Sequence, residues 1–332
     1  METMRAMIIE RTGGPEVFEA RDLPRPSPGP GQVLVRVRAT SVNPIDCKVR
    51  SGAVAVIPPF PAVLHGDLAG EVVARGPGAG KFREGDRVFG FVGWTGGEGG
   101  ALAQYAICDE RLLAEAPTVL SFEEAAALPV VGLTAWLGLK VRAGVKSGMR
   151  VLVHGACGGV GHVGIQVAKA LGAEVSATAS SPEKLAIAER LGARHSIDYR
   201  KESVTDYVER ITAGKGFDVV FDTVGGKNLD ASFEAARSGG TVVATAARST
   251  HDLTPVHSKG LSLHVVFVLL PILQGSGREE LGAALHELAR LASAGQLKPV
   301  LDDRRFPLEA VADAHRLLES GAAVGKVSIS VP

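Results

Sequence analysis

The sequence predicts an α/β protein of two domains, in which a doubly wound parallel sheet is joined to a smaller antiparallel β-barrel. Three observations lead to this prediction: a glycine-rich turn between a strand and a helix, strands that alternate with helices after about residue 120, and short strands separated by glycine and proline turns before it. The chain has 332 residues, enough for two hydrophobic cores.

The glycine-rich turn, residues 154–161, has the sequence HGACGGVG and lies between the apolar stretch 150–153 and the amphipathic segment 163–171. A strand, a glycine turn and a helix in this order can bind a pyrophosphate, because backbone N–H groups and the positive helix end approach it unobstructed. A tight turn without a ligand is the alternative, but the flanking segments favour a nucleotide site. The residues predicted to contact the nucleotide are Ala156, Gly158, Gly159, Val160 and Gly161.

The alternation of strands and helices after residue 120 predicts a Rossmann-type sheet with helices on both faces. A helix is expected over 182–191, where Ser181 can cap the first turn and Pro182 occupies it. The strands are predicted at 151–154, 174–178, 195–197, 217–221 and 241–244.

The first 120 residues contain β-like runs at 7–10, 32–39, 70–74 and 87–91, separated by turns typical of an antiparallel barrel. Near the end of the chain, helices are predicted at 278–294 and 308–320 and a strand at 326–330. The first domain should therefore be discontinuous, comprising 1–122 and 297–332, with the dinucleotide-binding domain at 123–296.

Composition excludes several function classes. The formal net charge is zero and aromatic residues make up 5% of the chain, so neither nucleic acid nor a membrane surface is an expected partner. Three scattered cysteines indicate a reducing compartment and offer no metal cluster. The start of the chain lacks the apolar core of a signal peptide, and the longest apolar run, 265–273, is too short to span a bilayer. A cytoplasmic protein is expected.

The end of the second Rossmann strand indicates which dinucleotide binds. NAD-binding units carry an acidic residue there, which accepts hydrogen bonds from the ribose hydroxyls. This chain instead has Ser180, Ser181 and Lys184, which suit the 2′-phosphate of NADPH. Glu183 opposes the prediction, since its carboxylate would repel a phosphate. The serines can also cap the following helix, a role compatible with phosphate binding.

Several segments together resemble the medium-chain dehydrogenase/reductase superfamily, and within it the zinc-free quinone oxidoreductase branch that includes zeta-crystallin. The segments are SVNPID at 41–46, GDLAG at 66–70, GDRV at 85–88, LTA at 133–135 and VVFDTVG at 219–225, together with the glycine turn. They follow the family's order over most of the chain. The resemblance implies that the barrel is a GroES-like catalytic domain.

The resemblance also argues against a catalytic zinc ion. The positions of the three zinc ligands in metal-dependent relatives fall on Asn43, on Gly66 and near Val130, and none of these is a usual zinc ligand. An improvised site of His65, Asp67 and Cys47 is the alternative, but their spacing is not a recognised ligand pattern. No metal is expected.

Without zinc, the easier reaction is hydride delivery to an electron-poor acceptor such as a quinone or an activated enone. The protein then has to align the reactants and donate a hydrogen bond to the developing oxyanion. The resemblance nominates Asn43 for this contact, with Asp46 ordering the loop through backbone N–H groups. Asn43 precedes Pro44, so initiation of a turn is an alternative role.

The chain departs from the family pattern at Val54, where relatives often carry a tyrosine at the mouth of the active site. Loss of a candidate proton donor disfavours enone reduction more than quinone reduction, because hydroquinone oxygens take protons from solvent. The expected function is NADPH-dependent quinone reduction. Reduction of α,β-unsaturated carbonyls is one alternative, and a catalytically weak NADPH-binding protein is another.

By resemblance, Thr134 contacts the nicotinamide side, and Lys184 and Tyr199 bind the 2′-phosphate; a packed Tyr199 is the alternative. Cys157, near a helix N-terminus, is expected to have a lowered pKa and to be oxidisable, without a catalytic role. The β-rich segment 261–268 is expected to extend the sheet across a twofold axis in a homodimer. An interior strand covered by the 278–294 helix is the alternative.

Overall fold

A computed structural model describes residues 2–54, 58–92 and 99–332 of the chain. The contacts divide it into two units, the first formed by residues up to Val130 together with Leu269–Pro332, and the second by Val131–Val268. The fold class is α/β, with a parallel six-stranded sheet in the second unit and a mainly antiparallel first unit. The predicted fold class is confirmed.

The strands in chain order are β1 Thr3–Ile9, β2 Phe18–Pro24, β3 Gln32–Val42, β4 Ala62–Val63, β5 Asp67–Arg75, β6 Arg87–Phe91, β7 Tyr105–Asp109, β8 Leu113–Glu115, β9 Arg150–His154, β10 Glu174–Ala179, β11 His195–Asp198, β12 Phe217–Asp222, β13 Ala236–Ala244, β14 Ser262–Val265, β15 Phe306–Pro307 and β16 Val327–Ser330.

The α-helices are α1 Pro44–Ser51, α2 Phe122–Ala126, α3 Pro129–Trp136, α4 Gly159–Ala170, α5 Pro182–Leu191, α6 Val204–Thr212, α7 Asn228–Ala235, α8 Thr254–Lys259, α9 Leu270–Gln274, α10 Arg278–Ser293 and α11 Val311–Glu319. Single 3₁₀ turns occur at Pro15–Val17, Glu110–Leu112 and Leu308–Ala310, and Leu137–Arg142 is a π-helical segment.

The second unit is built on a six-stranded parallel sheet in the order β11-β10-β9-β12-β13-β14. Adjacent residues of β9 face opposite sides of this sheet. Val153 lies beside Gly164 of α4, and Leu152 belongs to a buried cluster with Tyr207 of α6 and Phe233 of α7. Helices therefore cover both faces, which explains why the central strands are almost continuously apolar.

The first unit contains a seven-stranded sheet and a three-stranded sheet of order β2-β1-β4. Strand β3 is the centre of the larger sheet and pairs antiparallel with β5, β7 and β16. The pairing with β16 places Val327 opposite Val42, so the last strand of the chain lies beside the end of β3. Short antiparallel strands explain the glycine- and proline-rich sequence that predicted a barrel.

The unit boundaries differ from the predicted domain boundaries, because residues 123–130 and 269–296 group with the first unit. Within 269–296, helix α10 packs against the first unit, where its Arg278 forms an ion pair with Asp109 at 2.5 Å. Glu279, in the same first turn, pairs with Arg111 at 3.0 Å. Amphipathicity predicted this helix, but not which core it covers.

Most predicted elements are present with small shifts at their ends. The helix over 182–191 has the predicted bounds, with Ser181 as its N-cap. The helix predicted at 308–320 consists of a 3₁₀ turn followed by α11. Strand β14 is an edge strand of its sheet, so the alternative of an interior strand is wrong. None of the helices in the described ranges is long and apolar enough to cross a membrane.

Two glycines allow α4 to begin close to the end of β9. Gly155 follows β9 with a φ of +75°, in the left-handed region that favours glycine. A Cβ at Gly161 would lie 2.0 Å from the carbonyl oxygen of Gly155, far inside van der Waals contact. The helix can therefore approach the strand only because residue 161 has no side chain, as in dinucleotide-binding turns.

We expect Gly161→Ala to displace α4 from the turn and to weaken NADPH binding by about tenfold or more, with a lower Tm. The measurement is fluorescence titration with NADPH alongside a thermal melt. Gly80→Ala is the matched control, because a Cβ at Gly80 has open space around it. Unchanged affinity in the Gly161 variant would contradict this packing argument.

Candidate active site

The glycine turn has the features needed to hold a pyrophosphate. Helix α4 has 12 residues, and its N-cap, Gly158, provides no side chain to cap the first turn. The N–H groups and positive dipole of this helix end are thus available to an anion. Of the predicted contacts, Ala156 and Gly158 lie in the turn, whereas Gly159, Val160 and Gly161 form the first turn of the helix.

The end of β10 carries no carboxylate. The strand ends at Ala179, and Ser181 caps α5 by accepting a hydrogen bond from the N–H of Lys184 at 3.4 Å. The capping alternative is therefore part of the structure, and it leaves Ser180 and the Lys184 ammonium for a ligand. Glu183 hydrogen-bonds Ser181, which lowers the pKa of its exposed carboxyl, so a negative charge remains near this site.

Tyr199 lies at the same sheet edge as Ser180. Strand β11 pairs with β10 so that Asp198 is opposite Ala179, and the N–H of Tyr199 donates to the Ala179 carbonyl at 3.4 Å. The Tyr199 side chain is 56% exposed. The alternative of a packed tyrosine is therefore wrong, and the ring is accessible to a nucleotide.

Two further residues of the second unit were singled out by sequence. Thr134 lies on α3 and is buried, at 6% exposure. The thiol of Cys157 donates to the Lys184 carbonyl at 3.2 Å, and burial raises the pKa of this thiol. The expected lowering of the Cys157 pKa is wrong, because desolvation outweighs the helix end and nearby cations.

In the first unit, Asn43 and Asp46 begin α1. Asn43 is the N-cap and Pro44 the first helical residue, and the Asp46 carboxylate accepts the backbone N–H of Asn43 at 2.8 Å. This is the loop-ordering contact expected of Asp46, and the turn expected at Asn43-Pro44 is also present. Both side chains are at most 2% exposed.

The carboxylate of Asp67 is the centre of a buried polar cluster around Asn43. Its Oδ2 accepts from Ser41 Oγ at 2.8 Å, from Asn43 Nδ2 at 2.7 Å and from Lys326 Nζ at 3.4 Å. Its Oδ1 accepts the backbone N–H of Val130 at 2.9 Å. We call Ser41, Asn43, Asp67 and Lys326 the Asp67 cluster.

Lys326 completes the Asp67 cluster from the last strand. Its ammonium also donates to Asn43 Oδ1 at 2.5 Å and to the Val42 carbonyl at 3.0 Å, and the residue is 2% exposed. Burial lowers the pKa of Lys326, opposed mainly by the carboxylates of Asp67 and Asp46. Burial raises the pKa of Asp46 from 3.8 to about 7, with a further increase from the charge of Asp67.

Next to the Asp67 cluster, a chain of hydrogen bonds links the buried side chains of Thr40, His65, His315 and Cys47. Thr40 Oγ1 donates to the Asp67 carbonyl at 2.7 Å, so its hydrogen is committed there. His65 Nδ1, 3.2 Å from Thr40 Oγ1, must then be the donor of that pair. His65 Nε2 accordingly accepts from His315 Nε2 at 2.9 Å, and His315 Nδ1 accepts from the Cys47 thiol at 3.3 Å.

The pKa shifts of His65, His315 and Cys47 agree with the proton positions assigned to this chain of hydrogen bonds. Burial lowers the pKa of His65 well below its usual range and that of His315 to about 3. Burial also raises the pKa of the Cys47 thiol to about 12. All three groups are therefore neutral at physiological pH, and His315 uses both ring nitrogens within the chain. Cys47 and His65 are both hydrogen-bonded to His315, and in the part of the chain that the structure describes they form no metal-binding group with Asp67.

The positions matched to zinc ligands are occupied by other interactions. The Asn43 amide binds Asp67, and a Cβ at Gly66 would lie 2.1 Å from the ring of Phe91. Val130 contributes its backbone N–H to Asp67. Across residues 2–54, 58–92 and 99–332, no three His, Cys, Asp or Glu side chains are arranged to hold a metal ion.

Sequence reasoning missed Lys326, and it considered Asp67 as part of a family segment and as a member of an alternative metal site, not as the centre of a hydrogen-bonded cluster. Lys326 directly precedes the strand sequence VSIS, in which serines alternate with apolar residues, and nothing near it in the sequence indicates that its ammonium is buried. Val54 is buried where a tyrosine was expected. The predictions that concern Ala55 and Val56, and most of the loop 93–100, lie outside the described residues.

Two family models match the chain. One, described as an alcohol dehydrogenase GroES-like domain, matches residues 29–118, and one described as a zinc-binding dehydrogenase matches residues 191–329. The human quinone oxidoreductase is 33% identical over 326 residues, covering 98% of this chain and 97% of that protein.

Solved structures agree with the family models. An alcohol dehydrogenase superfamily protein from Novosphingobium aromaticivorans has a TM-score of 0.94 and 44% identity, covering 99% of this chain and all of that chain. A mycobacterial protein solved in complex with NADPH has a TM-score of 0.86 and 31% identity, covering 98% and 99% of the two chains. The chain therefore belongs to the medium-chain dehydrogenase/reductase superfamily and is similar over its full length to the quinone oxidoreductases.

Proposed function

We propose that this protein is an NADPH-dependent reductase that transfers a hydride to a quinone-type acceptor without zinc. The observation that carries the proposal is the state of the Asn43 amide. Its Nδ2 donates to Asp67 at 2.7 Å and lies beside the Asp46 carboxyl, and its Oδ1 accepts from Lys326, so the amide is held in one orientation. A buried, oriented N–H of this kind is suited to an oxygen that becomes negatively charged during reduction.

The residues of the second unit fit NADPH. The turn and the start of α4 would bind the pyrophosphate, and Thr134 the nicotinamide side. Ser180, Lys184 and Tyr199 would bind the 2′-phosphate, because they lie beside the end of β10, which carries no carboxylate; Ser181 would act through its cap on α5. When bound, NADPH supplies a hydride. The relatives support this choice, since one was solved with NADPH.

In the first unit, Asn43 would bind and polarise the acceptor oxygen, and Asp46 would hold the Asn43 backbone in place. A quinone accepts the hydride's two electrons, and its oxygens take the remaining proton from solvent, so no protein acid is required. Enone reduction is less favoured because Val54 has no proton to give. The human relative named as a quinone oxidoreductase points to the same acceptor class.

The test is NADPH oxidation by the purified protein against matched panels of quinones and enones, with NADH in parallel. We expect turnover with quinones and a preference for NADPH. Turnover confined to enones would replace the proposed acceptor class, and a preference for NADH would contradict the role given to Lys184. Tight NADPH binding without turnover would indicate a catalytically weak binding protein.

Asn43→Ala should lower kcat by about 100-fold with little change in NADPH affinity, because it removes an oxyanion donor and no cofactor contact. Gln104→Ala is the matched control. Its amide oxygen accepts the backbone N–H of Arg5 within the same unit, so it removes an amide of comparable size. If both variants retain wild-type kcat, Asn43 is not the donor.

Asp46→Asn should change how stability depends on pH. The folded pKa of about 7 exceeds the unfolded value of 3.8, so wild-type Asp46 favours the fold below about pH 4 and loses this contribution as pH rises through 7. Asparagine is neutral throughout and can still accept the Asn43 N–H. The variant should therefore gain on the order of 2 kcal/mol relative to wild type between pH 5 and pH 8.

This change is measured by urea unfolding at both pH values. Asp313→Asn serves as the control, because Asp313 is exposed and pairs with Arg316 on the surface. A difference between wild type and Asp46→Asn that stays constant from pH 5 to pH 8 would contradict the raised pKa.

We further propose that the protein is a cytoplasmic homodimer formed through the open edge of β14. Within the described residues this strand pairs with β13 alone, and Leu263, Val265 and Phe267 are 37%, 52% and 45% exposed. An open apolar edge favours pairing with a second copy. Light scattering should give twice 34.4 kDa, and Val265→Lys should give the monomer mass. A monomeric wild type would overturn the assignment.

A further inference from the structure

The amide of Asn43 is held between two opposite charges. Lys326 Nζ donates to Asn43 Oδ1 at 2.5 Å, and Asn43 Nδ2 donates to Asp67 Oδ2 at 2.7 Å. An ammonium can only donate hydrogen bonds, and an ionised carboxylate can only accept them. The oxygen of the amide must therefore face Lys326 and its NH₂ group must face Asp67, so the chemistry of its neighbours determines the amide's orientation.

Lys326 uses all of its hydrogen-bonding capacity in this place. Its three ammonium hydrogens match three acceptors: the Val42 carbonyl at 3.0 Å, Asn43 Oδ1, and Asp67 Oδ2 at 3.4 Å. Burying an ammonium at 2% exposure is costly, and an apolar side chain of similar length would avoid this cost. The free-energy cost of burying this charge indicates that the hydrogen bond from Lys326 to Asn43 has a specific role.

The backbone on both sides of Lys326 is fixed. Its N–H donates to the Val300 carbonyl at 2.9 Å, and its carbonyl accepts the Asp302 N–H at 2.9 Å. The next residue, Val327, pairs with Val42 in the β16–β3 ladder. The ammonium is therefore delivered to Asn43 from a rigid strand, as the support of a preorganised site requires.

We propose that Lys326 is a positioning residue for the reduction, which holds Asn43 Oδ1 and thereby fixes the direction in which Asn43 Nδ2 donates to the acceptor oxygen. A cation at the amide oxygen also draws electron density from the nitrogen and strengthens its N–H as a donor. Asp46 and Asp67 supply two carboxyl groups near this single ammonium. The inference rests on the proposed role of Asn43 in acceptor binding.

A double-mutant cycle tests whether Lys326 acts through Asn43. We expect Lys326→Met to lower kcat by about tenfold, with the KM for NADPH nearly unchanged. In the Asn43→Ala background, Lys326→Met should cause no further loss, because the group it positions is gone. Independent roles would instead multiply the two losses, and this result would overturn the proposal.

Lys259→Met is the matched control for loss of an ammonium. Lys259 also donates to three carbonyls, those of Phe233, Glu234 and Ala236, but within the second unit. It should lower Tm and leave kcat near the wild-type value, which separates a structural lysine from a positioning one. A loss of kcat in Lys259→Met equal to that in Lys326→Met would contradict a specific role for Lys326.

A second readout does not depend on turnover. The chain contains two asparagines, Asn43 and Asn228. Selective ¹⁵N-asparagine labelling therefore yields two pairs of side-chain amide signals in an NMR spectrum. The Asn228 amide donates to Asp222 at 3.1 Å and serves as the internal reference. In Lys326→Met, the Asn43 pair should move toward the positions of a solvated amide and exchange faster with solvent. An unchanged Asn43 pair would overturn the proposal.

Lys326→Arg keeps the test usable if the methionine variant does not fold. Arginine retains the positive charge and the donors. We expect Lys326→Arg to preserve the Asn43 signals and to have a higher kcat than Lys326→Met. If Lys326→Met does not fold, Lys326→Arg should still retain part of the wild-type kcat. A folded arginine variant with shifted Asn43 signals and a kcat no higher than that of Asn43→Ala would contradict the positioning role.

Different results would contradict the proposed function and the positioning role of Lys326. If the wild type reduces no acceptor, the proposed function fails, and the NMR comparison still decides whether Lys326 orients the Asn43 amide. If the wild type reduces quinones but the effects of Lys326→Met and Asn43→Ala multiply, the function stands and the positioning role fails.

Discussion

The arrangement of the first unit around Asn43 depends on the hydrogen bonds of the buried Asp67 carboxylate. Both of its oxygens are used, and its partners come from β3, from the start of α1, from Val130 and from Lys326. A carboxylate at 0% exposure is tolerated only when paired and hydrogen-bonded. These partners lie far apart in sequence. Their hydrogen bonds to the Asp67 carboxylate therefore hold β3 and the end of the chain beside Asn43.

A second buried carboxylate, Asp222, organises the second unit in a local way. It accepts hydrogen bonds from the backbone of Val224 and Gly225 and from the side chains of Asn228 and Ser232. All of these follow it within ten residues, so the charge shapes one loop after β12. The two aspartates show the same physical requirement met by distant partners in one unit and by neighbouring partners in the other.

Around Asn43, burial separates charged from neutral polar groups. The Asp67 cluster is ionic, whereas the chain through His65, His315 and Cys47 is neutral, because desolvation keeps both imidazoles unprotonated and the thiol protonated. His65 adopts a φ of +70°, a conformation that costs energy for a residue with a side chain, and its two ring bonds hold it there. The loop that leads to Asp67 is thereby fixed.

The sequence by itself determined the local features of this protein. The helix Pro182–Leu191, with Ser181 as its cap, and the glycine turn before α4 depend on residues close together in the chain, so capping and backbone rules predicted them. Asn43 and Asp46 were found through a family resemblance, and their mutual contact spans three residues. Fold class followed from the alternation of elements.

Only the tertiary structure decided which unit α10 joins and what Lys326 does. An amphipathic pattern says that a helix buries one face, but several cores could cover that face. Lys326 and Asn43 are 283 residues apart, and no local rule connects them. Their contact exists because the β16–β3 register places the end of the chain beside the start of α1, where a buried ammonium must find acceptors.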